Sequence, residues 1–158
     1  MNHEGIEILL VEDSPADVEL TLHALRKNAL VKQVHVARDG EEALDFLYCR
    51  DRFQGRAMEP LPGLILLDLK LPKVDGLSVL RTLKNDRRMR AIPVIVLTSS
   101  KEEKDLSRSY EFGVNSYIQK PVDFDRFCAT VQELGHYWLL VNQAPPQHIL
   151  NALTEKSG

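Results

Sequence analysis

The stretch GLILLDLKLPKVDG, residues 63–76, decides the fold of this chain. A short and uniformly apolar run such as residues 63–67 is typical of a strand that is buried on both faces. Pro72 and Gly76 follow this run and predict a loop. Asp68 is therefore expected at the carboxyl edge of a sheet, which is where ligands bind in open α/β folds.

Strand-like and helix-like segments alternate along the rest of the chain. Ser14 and Pro15 are typical of a helix start, and Asp123 is the expected cap of a long last helix. The predicted strands are residues 6–11, 31–37, 63–67, 93–97 and 115–119. The predicted helices follow residues 14, 39 and 75, span residues 101–112, and follow residue 123. Five strands alternating with five helices predict a three-layer α/β sandwich with right-handed crossovers.

Composition indicates one globular domain. The chain has 158 residues, of which 44% are hydrophobic and 27% are charged, and its formal net charge is -3. The acidic balance, with one dense basic patch at residues 87–90, weighs against nucleic acid or an anionic membrane as the main partner. The sequence has no signal-peptide pattern and no apolar run of about 20 residues, so we expect a cytoplasmic protein.

Three features are interpreted as structural. Cys49 and Cys128 lie in apolar-periodic stretches without a CxxC partner, which favours core positions. Residues 50–62 are polar and contain Pro and Gly, and they predict a surface loop rather than a domain linker. The helix over 101–112 has a poor apolar face, formed mainly by Leu106 and Tyr110.

Polar residues stand where four of the predicted strands end. They are Glu12 and Asp13 after the first strand, Asp68 after the third, Thr98 after the fourth and Lys120 after the fifth. Because parallel strands end at one edge of their sheet, we expect these five side chains to converge. Three carboxylates that lie close together stay ionised only if a cation joins them. Oxygen ligands without His or Cys favour Mg²⁺.

This arrangement predicts phosphoryl chemistry. With part of the charge neutralised by a metal, Asp68 can attack phosphorus and form an aspartyl phosphate. The metal and the Lys120 ammonium would then stabilise the negative charge of the phosphoryl group from opposite sides. Thr98 would supply a hydroxyl donor.

Taken together, these motifs resemble the receiver domain of two-component response regulators. The likeness covers residues 6–141 and rests on Glu12-Asp13, Asp68, Lys70-Leu71-Pro72, Asp75-Gly76, Thr98 and Lys120-Pro121. It implies a flavodoxin-like sheet of order 2-1-3-4-5, with Asp68 as the phosphoacceptor. It also implies Asp13 and Asp68 as direct Mg²⁺ ligands, Glu12 as a ligand through water, and the backbone carbonyl of Lys70 as a further ligand.

The resemblance extends to the switch region. In this family the bond before Pro121 is usually cis, which directs Lys120 into the site. Tyr117 stands where the family has its switch aromatic, although an aromatic at that position is equally compatible with a fixed core residue. The first acidic residue here is Glu12, where the family more commonly has Asp.

Two other classes of protein share part of this pattern. An enzyme of the haloacid-dehalogenase type needs a second acidic residue two positions after its nucleophile, and Lys70 occupies that position. A receiver-like adaptor that docks without being phosphorylated remains the alternative. Such domains, however, usually lack part of the set formed by the acidic pair, the phosphoacceptor Asp and the Lys. We expect no enzyme activity beyond loss of the protein's own phosphoryl group.

The carboxyl-terminal residues indicate how the protein passes on its signal. Residues 142–158 are too few for an output domain, and Pro145-Pro146 should end the last helix. We therefore expect a stand-alone receiver that signals by changed binding to a downstream protein. Its loop and carboxyl-terminal sequences resemble the single-domain regulators of bacterial and cyanobacterial phytochromes. That resemblance implies a sensor histidine kinase as partner and, more specifically, a phytochrome.

The same region predicts a homodimer. Its apolar residues exceed what one helix face can bury: Trp138, Leu139, Leu140 and Val141, then Ile149, Leu150 and Leu153. A two-fold interface is the commonest way to cover such a surface. The alternative is that the tail folds back onto its own subunit.

Overall fold

The computed structural model describes residues 5–57, 61–99, 103–120 and 123–141, and in them strands and helices alternate throughout. The strands are β1 Ile6–Val11, β2 Val31–Ala37, β3 Leu64–Leu67, β4 Val94–Thr98 and β5 Ser116–Gln119. The helices are α1 Pro15–Arg26, α2 Gly40–Leu47, α3 Gly76–Lys84, α4 Glu103–Glu111 and α5 Phe124–Val141. A short 3₁₀ turn at Asp51–Phe53 follows α2.

The strands form one sheet in the order β2-β1-β3-β4-β5, and every neighbouring pair is parallel. The predicted order and the predicted α/β sandwich are therefore confirmed. Because the strand order reverses direction after β1, the carboxyl ends of β1 and β3 border a crevice at the switch point of the sheet.

Helix starts show side-chain capping, and the two caps that the sequence predicts, Ser14 and Asp123, are confirmed. Four helices begin after a side chain whose oxygen accepts a hydrogen bond from a backbone N–H of the first turn, and these caps are Ser14, Asp39, Asp75 and Asp123. Such caps satisfy N–H groups that have no partner within the helix. Ser14, Asp39 and Asp123 each follow the end of a strand within four residues, so these caps also fix where the helices leave the carboxyl edge of the sheet.

The core consists of two apolar layers, one on each face of the sheet. β3 is buried along its whole length, as is β4. On one face, Phe127 and Val131 of α5 pack with the core, and on the other face Leu80 and Leu83 of α3 do so. Burial of each large apolar side chain contributes about 1.5–3 kcal/mol. The central strands are thus held firmly, and so are the loops at their carboxyl ends.

Two glycines allow the loop after β3 to pack closely. A Cβ at Gly76 would overlap the carbonyl oxygen of Asp68 and the Cα of Leu69, and a Cβ at Gly40 would overlap the carbonyl of Val74. The N–H of Gly76 donates to the carbonyl of Leu69 at 3.0 Å. The loop that carries Asp68 is therefore pressed between the first turns of α2 and α3.

Two sequence predictions about burial are wrong. Leu106 and Tyr110 do not form the inner face of α4, because they are 38% and 55% exposed and Ser109 is buried instead. Cys49 and Cys128 are half-buried rather than fully buried, although Cys128 packs against the core. Cys49 lies directly after α2, where the backbone leaves the helix with a positive φ of 55°.

The connection after α2 packs onto the domain through aromatic rings. Phe53 meets His35 and Phe46 edge-on, and His35 stacks on Phe46 at a centroid distance of 4.0 Å. The guanidinium of Arg56 lies 3.9 Å from the centre of the Phe46 ring. We call His35, Phe46 and Phe53 the aromatic cluster; it ties residues 50–57 to β2 and α2, as expected for a connection within one domain.

Among the residues that the structure describes, no helix is both long enough and apolar enough to cross a membrane.

Candidate functional site

Glu12 and Asp13 extend β1 beyond its last sheet residue. The Glu12 N–H donates to the carbonyl of Ala37 at 3.0 Å, which continues the β1–β2 pairing by one residue. One carboxylate oxygen of Glu12 accepts the Ser14 N–H at 3.1 Å, and the Glu12 residue is buried. Asp13 is exposed. The strand end therefore places one carboxylate inside the crevice and one at its mouth.

Asp68 occupies the corresponding position after β3. Its N–H donates to the carbonyl of Val11 at 3.0 Å, so the residue is held by the neighbouring strand. Its Oδ1 accepts the N–H of Lys70 at 3.0 Å, and the residue is only 6% exposed. Strand pairing and the loop together fix both the backbone and the carboxylate of Asp68.

Lys120 reaches across the sheet edge from the end of β5. Its N–H donates to the carbonyl of Thr98 at 2.9 Å. Its ammonium lies 2.8 Å from Glu12 Oε2, 2.7 Å from Asp17 Oδ2 and 3.2 Å from Asp68 Oδ2. These three partners of Lys120 are 108, 103 and 52 positions away from it in the sequence.

The carboxylates of Glu12, Asp13 and Asp68 fit a divalent cation. One oxygen from each lies within 4.8 Å of the others. These are hard oxygen ligands without a nitrogen or sulfur donor, which is the donor set of Mg²⁺ rather than Zn²⁺. We call these three residues the acidic site. The prediction that its members converge is supported, whereas the roles of single residues as metal ligands stay predictions.

Charge crowding changes the protonation of the acidic site. Burial and, to a smaller extent, the neighbouring charge of Asp68 together raise the pKa of Glu12 to about 7, against the lowering effect of the hydrogen bond from Lys120. Burial opposes the charged form of Lys120, but its hydrogen bonds to Asp17 and Glu12 outweigh that effect and hold the pKa of Lys120 above its ordinary value. Without a metal, the carboxylates of the acidic site carry more negative charge than the Lys120 ammonium neutralises.

Thr98 and Tyr117 lie on the same face of the sheet. Tyr117 pairs with Val96, and Thr98 stands two residues further along β4. Since side chains two apart on a strand share a face, Thr98 and Tyr117 belong to one face near the site. Thr98 is fully buried, and Tyr117 is half-buried against the core. Pro121, for which a cis bond was predicted, lies outside the described residues.

Asp17 is the site residue that the sequence analysis missed. It lies in the first turn of α1, where its N–H donates to the capping Ser14 Oγ at 3.3 Å. A signal was present in the sequence, because the first turn of a helix that follows a strand end must stand above the same sheet edge. An acidic residue there is also common for a different reason, the helix dipole, so the sequence did not separate the two roles.

The comparisons with known proteins agree with this geometry. The model of the response regulator receiver domain matches residues 8–132. The chain belongs to this family of receiver domains, whose members act in signalling rather than as classical enzymes.

Among curated relatives, the chain is 44% identical over 138 residues to the probable methanogenesis regulatory protein FilR2 of Methanothrix harundinacea, covering 87% of this chain and 86% of FilR2. It is 40% identical over 132 residues to the response regulator Rcp1 of Synechocystis, covering 84% of this chain and 88% of Rcp1.

Among solved structures, the bacteriophytochrome response regulator AtBRR is 54% identical, with a TM-score of 0.73 over 89% of this chain and 99% of that chain. The Mn²⁺-bound form of Rcp1 is 38% identical, with a TM-score of 0.70 over 89% and 99%. The phosphorylated cyanobacterial phytochrome response regulator RcpA is 37% identical, with a TM-score of 0.72 over 90% and 99%. This chain is therefore related to phytochrome response regulators.

Proposed function

We propose that this protein is a response regulator that accepts a phosphoryl group from a sensor histidine kinase onto Asp68, with Mg²⁺ bound at the acidic site. The observation that carries the proposal is that a buried Asp68 carboxylate has the Lys120 ammonium 3.2 Å away and two further acidic residues beside it. The phosphorylated state of RcpA and the Mn²⁺-bound state of Rcp1 support it by relationship.

The residues of the chain divide the chemistry among them. An Asp68 oxygen would form a bond to phosphorus as the bond from phosphorus to the histidine nitrogen of the kinase breaks. Lys120 would donate to a phosphoryl oxygen, and Asp13 and Asp68, with Glu12 through water and the Lys70 carbonyl, would hold the metal. A bound Mg²⁺ would supply charge neutralisation for the transferring group.

Direct phosphorylation tests the proposal. Acetyl phosphate with Mg²⁺ should add one phosphoryl group to the wild-type protein, as measured by intact mass spectrometry. We expect no such addition in Asp68→Ala or with chelator, and normal addition in Asp125→Ala, which removes an exposed carboxylate from α5. Full labelling of Asp68→Ala would refute Asp68 as the acceptor. An unlabelled wild type would favour the docking adaptor instead.

The class of kinase is a second part of the proposal. We propose a phytochrome histidine kinase in the cytoplasm, because the relatives include bacteriophytochrome response regulators. The similarity to FilR2, a probable methanogenesis regulator, favours testing a kinase of another class in parallel. Faster phosphoryl transfer from the phytochrome kinase than from the other kinase is the expected result, and the reverse order would overturn this pairing.

We also propose that phosphorylation reaches the surface through Thr98 and Tyr117. A phosphoryl oxygen that attracts the Thr98 hydroxyl would favour rotation of Tyr117 and a shift in the β4–α4–β5 surface, with the exposed α4 as the responsive element. Thr98→Ala should still be phosphorylated but should lose most of the change in hydrogen exchange over residues 98–119. Equal changes in both proteins would contradict this coupling.

Finally, we propose a homodimer held by the carboxyl-terminal region. Residues 142–158 lie outside the described residues, so the proposal rests on the apolar run at 138–141 in the sequence. Light scattering should give the mass of a dimer for the full chain and of a monomer for a chain that ends at Val141. A full chain that is monomeric at micromolar concentration would end this part of the proposal.

A further inference from the structure

Asp17 contacts the ammonium of Lys120 from α1, outside the acidic site. Its Oδ2 is 2.7 Å from Lys120 Nζ, compared with 3.2 Å for the oxygen of Asp68. The position of Asp17 is fixed by the first turn of α1, because its N–H bonds to the capping side chain of Ser14. The ammonium therefore lies closer to Asp17 on α1 than to the phosphoacceptor Asp68.

The hydrogen-bonding capacity of Lys120 is used up in this state. An ammonium has three N–H donors. Here three carboxylates stand within hydrogen-bonding distance, on Glu12, Asp17 and Asp68. Lys120 can donate a further hydrogen bond to a phosphoryl group at Asp68 only if its bond to one of these carboxylates breaks.

Burial decides which partner is released most easily. The Glu12 side chain is 4% exposed, and a carboxylate that deep loses its partner at a large cost in free energy. The Asp17 side chain is 36% exposed, so water can replace the ammonium there. The partner that water can most easily replace is thus the one that lies on α1.

From this geometry we infer that Asp17 is a positioning residue that holds Lys120 in the unphosphorylated protein, in competition with the phosphoryl group at Asp68. The inference rests on the proposed function, since it assigns a role within the same site. It adds a contact between the site and α1, which phosphorylation would break.

Beryllium trifluoride, an analogue of the phosphoryl group, provides the test in the presence of Mg²⁺. Asp17→Asn keeps the size of the side chain and removes its charge, so residue 17 no longer competes for Lys120. The affinity of this variant for the analogue should rise about three- to fivefold, as expected for loss of a partly exposed ion pair. Asp17→Glu, which restores a carboxylate, should stay within about twofold of the wild type.

A matched control separates this role from a general charge effect. Glu19 is an exposed carboxylate two residues further along α1, and side chains two apart point to different sides of a helix. Glu19→Gln should leave the affinity unchanged. In the ligand-free protein, the side-chain NMR signals of Lys120 should shift in Asp17→Asn and stay in place in Glu19→Gln.

Each outcome decides a different point. Unmoved Lys120 signals, an unchanged or lower affinity in Asp17→Asn, or an equal gain in Glu19→Gln would overturn the role of Asp17 while leaving the proposed function intact. A wild-type protein that does not bind the analogue at all would overturn the proposed function and the competition with it.

Discussion

The acidic site and the aromatic cluster accommodate ionisable side chains in opposite ways. In the acidic site, Glu12 and Asp68 stay together only with the help of the Lys120 ammonium. In the aromatic cluster, His35 stacks on Phe46, and burial lowers the pKa of the imidazole, with a smaller contribution from the charges of neighbouring arginines that Glu42 opposes.

This difference indicates that the aromatic cluster stabilises the fold, whereas the acidic site is arranged to bind a ligand. Packing in the aromatic cluster favours the neutral imidazole, so that region requires no added ion. The carboxylates of the acidic site carry more negative charge than the Lys120 ammonium neutralises. A bound cation would therefore stabilise this site. If this comparison holds, substitutions in the acidic site should change the effect of Mg²⁺ on stability, and substitutions in the aromatic cluster should leave that effect unchanged.

The largest effect should come from removing the central ring of the aromatic cluster. Phe46→Ala deletes a buried side chain that contacts His35 and Phe53 and underlies Arg56. It should lower the free energy of unfolding by about 3–5 kcal/mol, as measured by urea denaturation. Titration calorimetry should show an unchanged affinity for Mg²⁺. A large loss of Mg²⁺ affinity would mean that the two regions are not independent.

Lys120→Met should have the next largest effect. It leaves the buried carboxylates of Glu12 and Asp68 without their ammonium, so the free energy of unfolding in chelator should fall by about 3 kcal/mol. Mg²⁺ should recover part of that loss, because a metal supplies the missing positive charge. Lys27→Met removes an exposed ammonium at the end of α1 and serves as the control. Equal stability of Lys120→Met and wild type in chelator would contradict the charge argument.

Asp68→Asn should act with the opposite sign. It removes one of the carboxylates that repel each other in the acidic site, so the free energy of unfolding in chelator should increase by about 1 kcal/mol. The same substitution should reduce the additional stability that Mg²⁺ provides. A destabilised Asp68→Asn in chelator would show that the contact with Lys120 outweighs the repulsion.

The smallest effect concerns pH and the aromatic cluster. Because the folded protein holds the pKa of His35 below its ordinary value of 6.5, the unfolded chain takes up this proton first as the pH falls. The contribution of His35 to stability is therefore present above about pH 6.5 and is lost as the pH falls below that value.

Urea denaturation at several pH values in chelator tests this sign. Between about pH 6.5 and pH 5 the wild type should lose stability relative to His35→Phe as the pH falls, because only the wild type has the contribution of His35. His23→Gln controls for the loss of one imidazole at an exposed position on α1. Parallel pH profiles of His35→Phe and wild type would remove His35 as the cause.

The fold was predictable because its signals are local. The apolar run before Asp68 indicated a buried strand, and the cap Ser14 with Pro15 located the start of α1. The helix α4 was predicted as well, but the prediction of its inner face failed, because Leu106 and Tyr110 are exposed to solvent. In a helix with few apolar residues, periodicity gives little information about which side faces the sheet.

The candidate site was predictable in part. Glu12, Asp68 and Lys120 were identified because each directly follows a strand, and parallel strands end at one edge. Asp17 was not identified, since it lies within a helix and its position there is explained equally well by the helix dipole. The aromatic cluster was missed as well, because its partners come from β2, α2 and the following turn.

The sequence by itself determined the alternation of strands and helices, the helix caps and the set of polar residues at the strand ends, because these depend on neighbouring residues and on a fixed strand direction. Only the tertiary structure decided that Lys120 is shared among Glu12, Asp17 and Asp68, and which of these partners water can replace. Distances between residues about 50 to 110 positions apart, and the burial that sets their electrostatics, exist only once the sheet has assembled.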